Sequence, residues 1–430
     1  MSMDTKKRIN PWAWVSTLYF AEGLPYVAVM TIAVIMYKNL GMSNTDIALY
    51  TSWLYLPWVI KPIWSPFVDL MKTKRFWIIA MQFLLGVGFA GVAFFINTNF
   101  YVQSTLAVFW LMAFSSATHD IAADGYYMIA LDQKQQSFFV GIRNIFYRFS
   151  VIFGQGLVVM FAGLLADGSI IPSVKGNVPL SWSIAFFLMA GLFIGLALYH
   201  YYILPKAETR RSESEPRRTP LELLKDFWKT FTSFFAKDGI GLAFFFILTY
   251  RLGESQLVKI ASPFFLDTVE KGGMGLTTAQ VGVINGTVGV IALLLGGMLG
   301  GVLVSKQGLR KWIVPMAIAI NLPDVLYVVL SLYNEASIVW AAVFVALEQF
   351  GYGLGFTAYT LYLIHVAKGE FKTAHYAIGT GFMALGMMVP GMIAGWMQEQ
   401  LGYTMFFVWV CVATLPGIIA SILVKRYHLK

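Results

Sequence analysis

Twelve times in its 430 residues this chain runs through roughly twenty or more mostly apolar positions before Gly, Pro, Asn or clustered charge interrupts it. The runs lie near 12–37, 47–67, 76–97, 105–130, 140–164, 182–204, 239–266, 279–304, 312–333, 336–364, 374–398 and 403–424. A hydrocarbon core of about 30 Å needs about 20 apolar residues per helix, so each run is long enough to cross. None alternates in the roughly ten-residue segments of a membrane barrel. The expectation is an all-α integral membrane protein: twelve transmembrane helices (spans 1–12) in two six-helix pseudo-symmetric bundles. Only 12% of residues are charged, half the share of a soluble domain. That excludes a soluble enzyme and a disordered regulator. The net charge of +9 gathers on no polar domain that could hold nucleic acid. Cys411 is the single cysteine, and the five histidines (119, 200, 365, 375, 428) lack zinc-type spacing. No metal or cofactor is expected.

Lys and Arg sort to one side of this arrangement. Lys6, Lys7 and Arg8, then Lys72, Lys74, Arg75, Lys134, Lys306, Arg310, Lys311, Lys425 and Arg426 fall in loops and ends that share a face with the 205–220 linker. The opposite loops hold Lys38, Lys175 and Lys271. The positive-inside rule then predicts both termini in the cytoplasm of a multi-pass inner (plasma) membrane protein. The linker divides the chain into 1–204, a linker region 205–238, and 239–430. Thr219-Pro220-Leu221-Glu222 reads as a capping box. Leu221, Leu224, Trp228, Phe231 and Phe235 then share a face, so 220–237 is expected to be an amphipathic helix, at the membrane interface or packed on protein. The halves repeat: Gly41-Met42-Ser43-Asn44-Thr45-Asp46 opens span 2, and Gly275-Leu276-Thr277-Thr278-Ala279-Gln280 opens span 8. Transporters are commonly built from such duplicated halves.

Charge inside a span is costly and marks function by default. Glu22, Asp120, Glu254 and Glu348 sit near the centres of spans 1, 4, 7 and 10. These four are the expected solute- or proton-binding acids. Asp124, one turn from Asp120, shares its face. Glu22, Asp120 and Asp124 are the candidates for proton coupling; His119 is either a relay or a neutral packing histidine. Arg148 in span 5 is placed to pair with Asp124. Arg251 and Glu254 stand at i, i+3 in span 7, with Lys259 further along. Asp324 in span 9 is the exception to the every-third-helix pattern, and Asn321-Leu322-Pro323 beside it reads as a local helix break.

Tyr19, Tyr26, Tyr126, Tyr127, Tyr352 and Tyr359 flank these charges on the same spans. Aromatic faces with hydroxyls suit a sugar ring. With Arg251 and Lys259, they complete the expected solute-contacting set.

Lys61-Pro62-Ile63-Trp64-Ser65-Pro66, followed by Asp69, resembles the K-x-x-W-S-P-x-x-D signature of the muropeptide permease (AmpG) and acetyl-CoA transporter family. His119-Asp120-Ile121-Ala122-Ala123-Asp124-Gly125 resembles that family's span 4 motif, and Tyr147-Arg148 its Y-R. The similarity is clearest over residues 15–165. It implies the major facilitator fold, in which spans 1, 4, 7 and 10 line a central cavity, and a monomer working in the lipid bilayer. It also implies proton-coupled import of an anhydromuropeptide or a related N-acetylglucosamine saccharide. Lys61, Asp69, Arg75 and Arg148 would form gating or structural ion pairs. Leu70 stands where many facilitators have Arg after the loop Asp, and the second half does not repeat W-S-P.

The sequence therefore predicts a secondary transporter of a sugar-containing anion. An acetyl-CoA or other nucleotide carrier, using Arg148, Arg251, Lys259 and Lys61 for phosphates, is the alternative. A membrane-embedded transferase would need a nucleophile–base pair near one face, and none is legible. A receptor would bring a soluble domain larger than this linker.

Overall fold

The computed structural model describes residues 9–206, 220–333, 337–369 and 371–429. Lys6, Lys7, Arg8, Arg210, Arg211, Arg217, Arg218 and Thr219, and the side chains of Asp69, Leu221 and Leu224, lie outside the described residues. Every described element is a helix. Among the described residues nine helices are long and apolar enough to cross a membrane. One of them, Ala374–Tyr427, holds two spans. Gly386 and Gly391 pack against Leu248 and Ser255, so span 11 runs alongside span 7 in the same direction. After Gly402, at φ 73 and ψ 167, the chain returns: Tyr403 bonds Asp267, Thr414 meets Gly253, and His428 meets Gly239. Only glycine takes that backbone conformation without strain. Span 7, Ile240–Leu266, meets the preceding Trp228–Phe235 segment at 94°. Span 2 is split into Asn44–Trp53 and Leu56–Met71. With these, the twelve spans are accounted for.

Local chemistry starts the repeated helices. The Ser43 hydroxyl accepts from the Asp46 amide at 3.0 Å to open span 2. Thr277 accepts from the Gln280 amide at 3.2 Å, and Gln280 returns a bond to the Thr277 amide at 2.8 Å, opening span 8. Each cap satisfies amides that a helix leaves free at its start.

Both described ends of the chain lie beside the linker. Tyr199, near the end of span 6, donates to the Ala13 carbonyl, and Tyr362 bonds His428 at 2.7 Å. We call this the linker side and the other the far side. At the far side the halves are tightly joined. Lys38 pairs with Asp267 at 2.7 Å, Asn44 donates to Gln398 and Tyr403, and Thr45 donates to Glu399. Deeper in, spans 5 and 8 cross with backbones touching: a Cβ on Gly286 would stand 2.0 Å from the Gly156 nitrogen. At the linker side, Gly381 of span 11 lies against the Val59 carbonyl of span 2. The Pro220–Phe235 helix rests on this pair, and its Ser233 bonds His375 at 2.9 Å.

Three spans pass through π-helical stretches: Ala28–Ile32 in span 1, Ile152–Val158 in span 5 and Gly282–Gly289 in span 8. Such stretches rotate the side chains that follow and are frequent at functional sites. Here each places a polar residue, Thr31, Gln155 or Asn285, on the same central space.

Candidate functional site

That space is a cavity of about 440 Å³ between the halves. Glu22 and Asp120 line it from spans 1 and 4, and Glu254 and Glu348 from spans 7 and 10. The four acids read from the sequence thus share one chamber. Tyr26, Arg148, Arg251 and Tyr352 also face it.

On the amino-terminal side, Lys61 forms an ion pair with Asp120. Lys61 therefore reaches inward from span 2 to a cavity acid. The Glu22 carboxyl adjoins Asp120 and leaves its Oε2 buried without a hydrogen-bond partner. Lys61 is thus bonded to one of two adjoining carboxyls.

Asp124 is one turn closer to the linker side, outside the cavity. The expected Arg148–Asp124 pair is not formed: Arg143 binds Asp124 at 2.9 Å. Tyr19 donates to the same carboxylate oxygen at 2.9 Å, and Arg143 donates to the Tyr19 hydroxyl at 2.9 Å. The guanidinium also lies over the rings of Tyr19 and Tyr127. Arg148 instead lines the cavity, with no ion pair among the described residues.

His119 points away from the chamber. Its Nε2 meets Gln82 Nε2 at 2.9 Å; Gln82 Oε1 meets His200 Nδ1 at 2.8 Å; His200 Nε2 meets Thr17 at 2.9 Å. The amide nitrogen must donate to His119, and the amide oxygen must accept from His200. His119 therefore accepts at Nε2, and this chain of bonds ties spans 1, 3, 4 and 6 together. A relay would have to run through a ring whose Nε2 is bonded to the Gln82 amide.

Span 7 breaks at Tyr250–Arg251, so Arg251 and Glu254 are not one turn apart on a continuous helix. Arg251 donates to the Tyr352 hydroxyl at 2.7 Å and lies over the Tyr352 and Phe356 rings. Its Nε is buried without a partner. Glu348 accepts from Gln349 at 2.8 Å.

Several expected solute contacts lie elsewhere. Tyr19 belongs to the Asp124 cluster. Tyr126 donates to the Pro205 carbonyl at 2.5 Å, Tyr127 to that of Gln136, and Tyr359 to that of Ile247 at 2.8 Å. Each anchors its helix to a neighbouring stretch of backbone. Lys259 is buried at the seam between halves, donating to Thr51 at 3.0 Å over the Tyr55 ring. Arg75 grips the end of span 6 through the carbonyls of Tyr201 and Leu204.

Sequence reasoning missed Arg143, and it missed Tyr55, Trp58, Gln155, Ser262, Asn285 and Gln349 of the cavity wall. Gln155 lies between Gly154 and Gly156, and Asn285 precedes Gly286. Polar residues set among glycines in apolar runs were the available signal. Among the described residues no group of His, Cys, Asp and Glu is arranged to hold a metal ion.

Residues 15–371 match the profile of the Major Facilitator Superfamily. The chain belongs to that superfamily. The anhydromuropeptide permease of Escherichia coli (strain K12) is 26% identical over 423 residues, covering 95% of this chain and 78% of the permease. Putative transporter AmpG 4 of Rickettsia conorii is 23% identical and covers 93% of both chains. Among solved structures, a POT family transporter in complex with 5-aminolevulinic acid superposes with a TM-score of 0.73 at 13% identity, covering 97% of this chain and 96% of that one. A D-xylose-proton symporter gives 0.70 at 12% identity, covering 98% of each. These likenesses fix the facilitator fold. The protein is a multi-pass membrane transporter, and its relatives are permeases rather than enzymes.

Proposed function

We propose that this facilitator imports a sugar-containing anion of the anhydromuropeptide or N-acetylglucosamine-saccharide class, by proton symport with alternating access. It would work as a monomer in the inner membrane, with the linker side in the cytoplasm. The observation that carries this reading is the single chamber shared by Glu22, Asp120, Glu254 and Glu348. Arg148 and Arg251 supply positive charge for an anion, and Tyr26 with Trp58, edge to face at 5.2 Å, supplies aromatic surface for a sugar ring. The name of the Escherichia coli relative supports the solute class. Two adjoining carboxyls beside one lysine hold one proton more readily than two negative charges, which suits Glu22 and Asp120 to proton coupling. Asp124, half-exposed beside Arg143, offers a proton exit toward the linker side.

Of the four cations a nucleotide carrier would use, Arg148 and Arg251 line the cavity, whereas Lys61 is held by Asp120 and Lys259 lies at the seam. The saccharide is therefore the better-supported solute. The test is uptake of a tritiated N-acetylglucosaminyl-anhydromuropeptide into proteoliposomes, with and without an imposed pH gradient. Accumulation that follows the gradient and collapses with an uncoupler is expected. Uptake requiring sodium and indifferent to pH would overturn the proton assignment. Thermal stabilisation by acetyl-CoA and not by the muropeptide would overturn the solute.

A further inference from the structure

Asp324 plays no part in the cavity wall, yet it is the most conspicuous buried charge of the second half. Pro323 has no amide to donate, and the helix of span 9 tightens there into the 3-10 turn Leu322–Asp324. The turn carries Asp324 into the interior, where it is 1% exposed. Neither of its carboxyl oxygens has a hydrogen-bond partner, and no cation pairs with it among the described residues. Opposite it, span 7 is broken. The second segment opens at Leu252 with no side-chain cap, and a Cβ on Gly253 would stand 3.4 Å from Asp324 Oδ2. The unpartnered carboxyl therefore lies beside the positive end of a half-helix whose first amides are free. Transporters use such broken helices at their binding sites, the positive N-terminal ends facing negative groups.

The titratable neighbours are Glu254 on span 7, Glu348 on span 10, Tyr327 on span 9 itself and Cys411 on span 12. Glu254, Glu348 and Tyr327 reach the cavity. Arg251 is turned toward Tyr352 and Phe356. In this arrangement no amide, side-chain donor or cation among the described residues bonds Asp324, so the neutral acid is better accommodated than the anion; the half-helix amides reach the carboxylate only once span 7 moves.

Resting on the proton-symport reading above, we infer that Asp324 is a second proton site, in the carboxy-terminal half, exchanging its proton with the cavity by way of Glu254 and Glu348. The O–H bond of Asp324 breaks when span 7 shifts against span 9, and the proton passes to a cavity carboxylate. The anion left behind is held by the free amides at the start of the Leu252–Leu266 segment. Each cycle then carries one proton in each half.

The experiment compares wild type with Asp324→Asn in proteoliposomes at zero membrane potential, using the tritiated muropeptide. Asn is the neutral isostere of the protonated acid, and solute exchange with no gradient reports folding. Per pH unit, each coupled proton multiplies the sustainable accumulation by about tenfold. Wild type should reach about a hundredfold at one unit, and Asp324→Asn about tenfold with exchange intact. A variant accumulating as wild type does would overturn the inference. So would one that loses exchange together with accumulation, because Asp324 would then be structural. Wild type indifferent to the pH gradient would instead sink the symport reading on which the inference rests.

Discussion

Lys38 Nζ lies 2.7 Å from Asp267 Oδ2, joining the far-side ends of spans 1 and 7, which correspond to each other in the two halves. Lys38 also donates to Asn44 at 2.8 Å, and Asp267 accepts from Tyr403. With side chains 12% and 10% exposed, the pair is largely shielded from solvent. Opening the far side must break it, so it opposes the far-side-open state.

Lys38→Met should shift the protein toward far-side opening. Removing one member of a buried pair costs about 3–5 kcal/mol, and a fraction of that would move the conformational balance by about tenfold. With Cys411→Ser as background, a Ser262→Cys reporter in the cavity wall should label about tenfold faster with an impermeant maleimide applied from the far side. Unchanged labelling would mean that the seal rests on other contacts.

Arg143 and Arg148 should separate under mutation. Arg143 holds Asp124 and Tyr19, so Arg143→Ala should lower the melting temperature. Its coupling to Asp124 in a double-mutant cycle should be about 0.5–1 kcal/mol, toward the low end because both side chains are partly exposed. Arg148→Ala should leave the melting temperature unchanged and weaken solute binding. The reverse pattern would restore the Arg148–Asp124 pairing.

That contrast shows where the sequence was readable. The spans could be read because the bilayer demands long apolar runs, and the four cavity acids because charge at mid-membrane needs a purpose. Both signals depend on depth along a helix. Rotation about the helix axis carries no such signal. Arg143 and Arg148 differ by five residues, which on a regular helix turns them apart by about 140°, and sequence depth placed the wrong one against Asp124. The same gap put Tyr126, Tyr127 and Tyr359 at the chamber when each anchors a neighbouring backbone. Thr31, Gln155 and Asn285 reach it from π-helical stretches, where the regular period used to read a face no longer applies.

Arg251→Ala should raise the half-saturation constant for an anionic solute by about ten- to a hundredfold, the loss expected for hydrogen bonds made by a charged group. The guanidinium keeps its Nε unpartnered in the buried wall, while Tyr352 and Phe356 fix its plane. Tyr352→Phe removes only the 2.7 Å bond that orients it, and about a threefold effect is expected. Binding measured calorimetrically with the muropeptide and with its uncharged disaccharide discriminates the two roles. An equal loss for both ligands would argue that Arg251 supports the wall and does not read charge.

The crossing of spans 5 and 8 gives the strictest prediction. A side chain on Gly286 would meet backbone of Gly156 and Gln155, which cannot rotate out of the way. Gly286→Ala must push the spans apart at the point where the halves touch beneath the far-side seal. Overpacking of this kind costs about 1–3 kcal/mol, and the strain falls on the closed far side alone, since a far-side-open state would separate these backbones. The variant should therefore melt at a lower temperature and also label faster at the Ser262→Cys reporter. Gly301→Ala, with open space around its Cβ, is the control expected to change neither. A Gly286→Ala protein that melts lower without gaining far-side access would show that spans 5 and 8 stay together throughout the cycle.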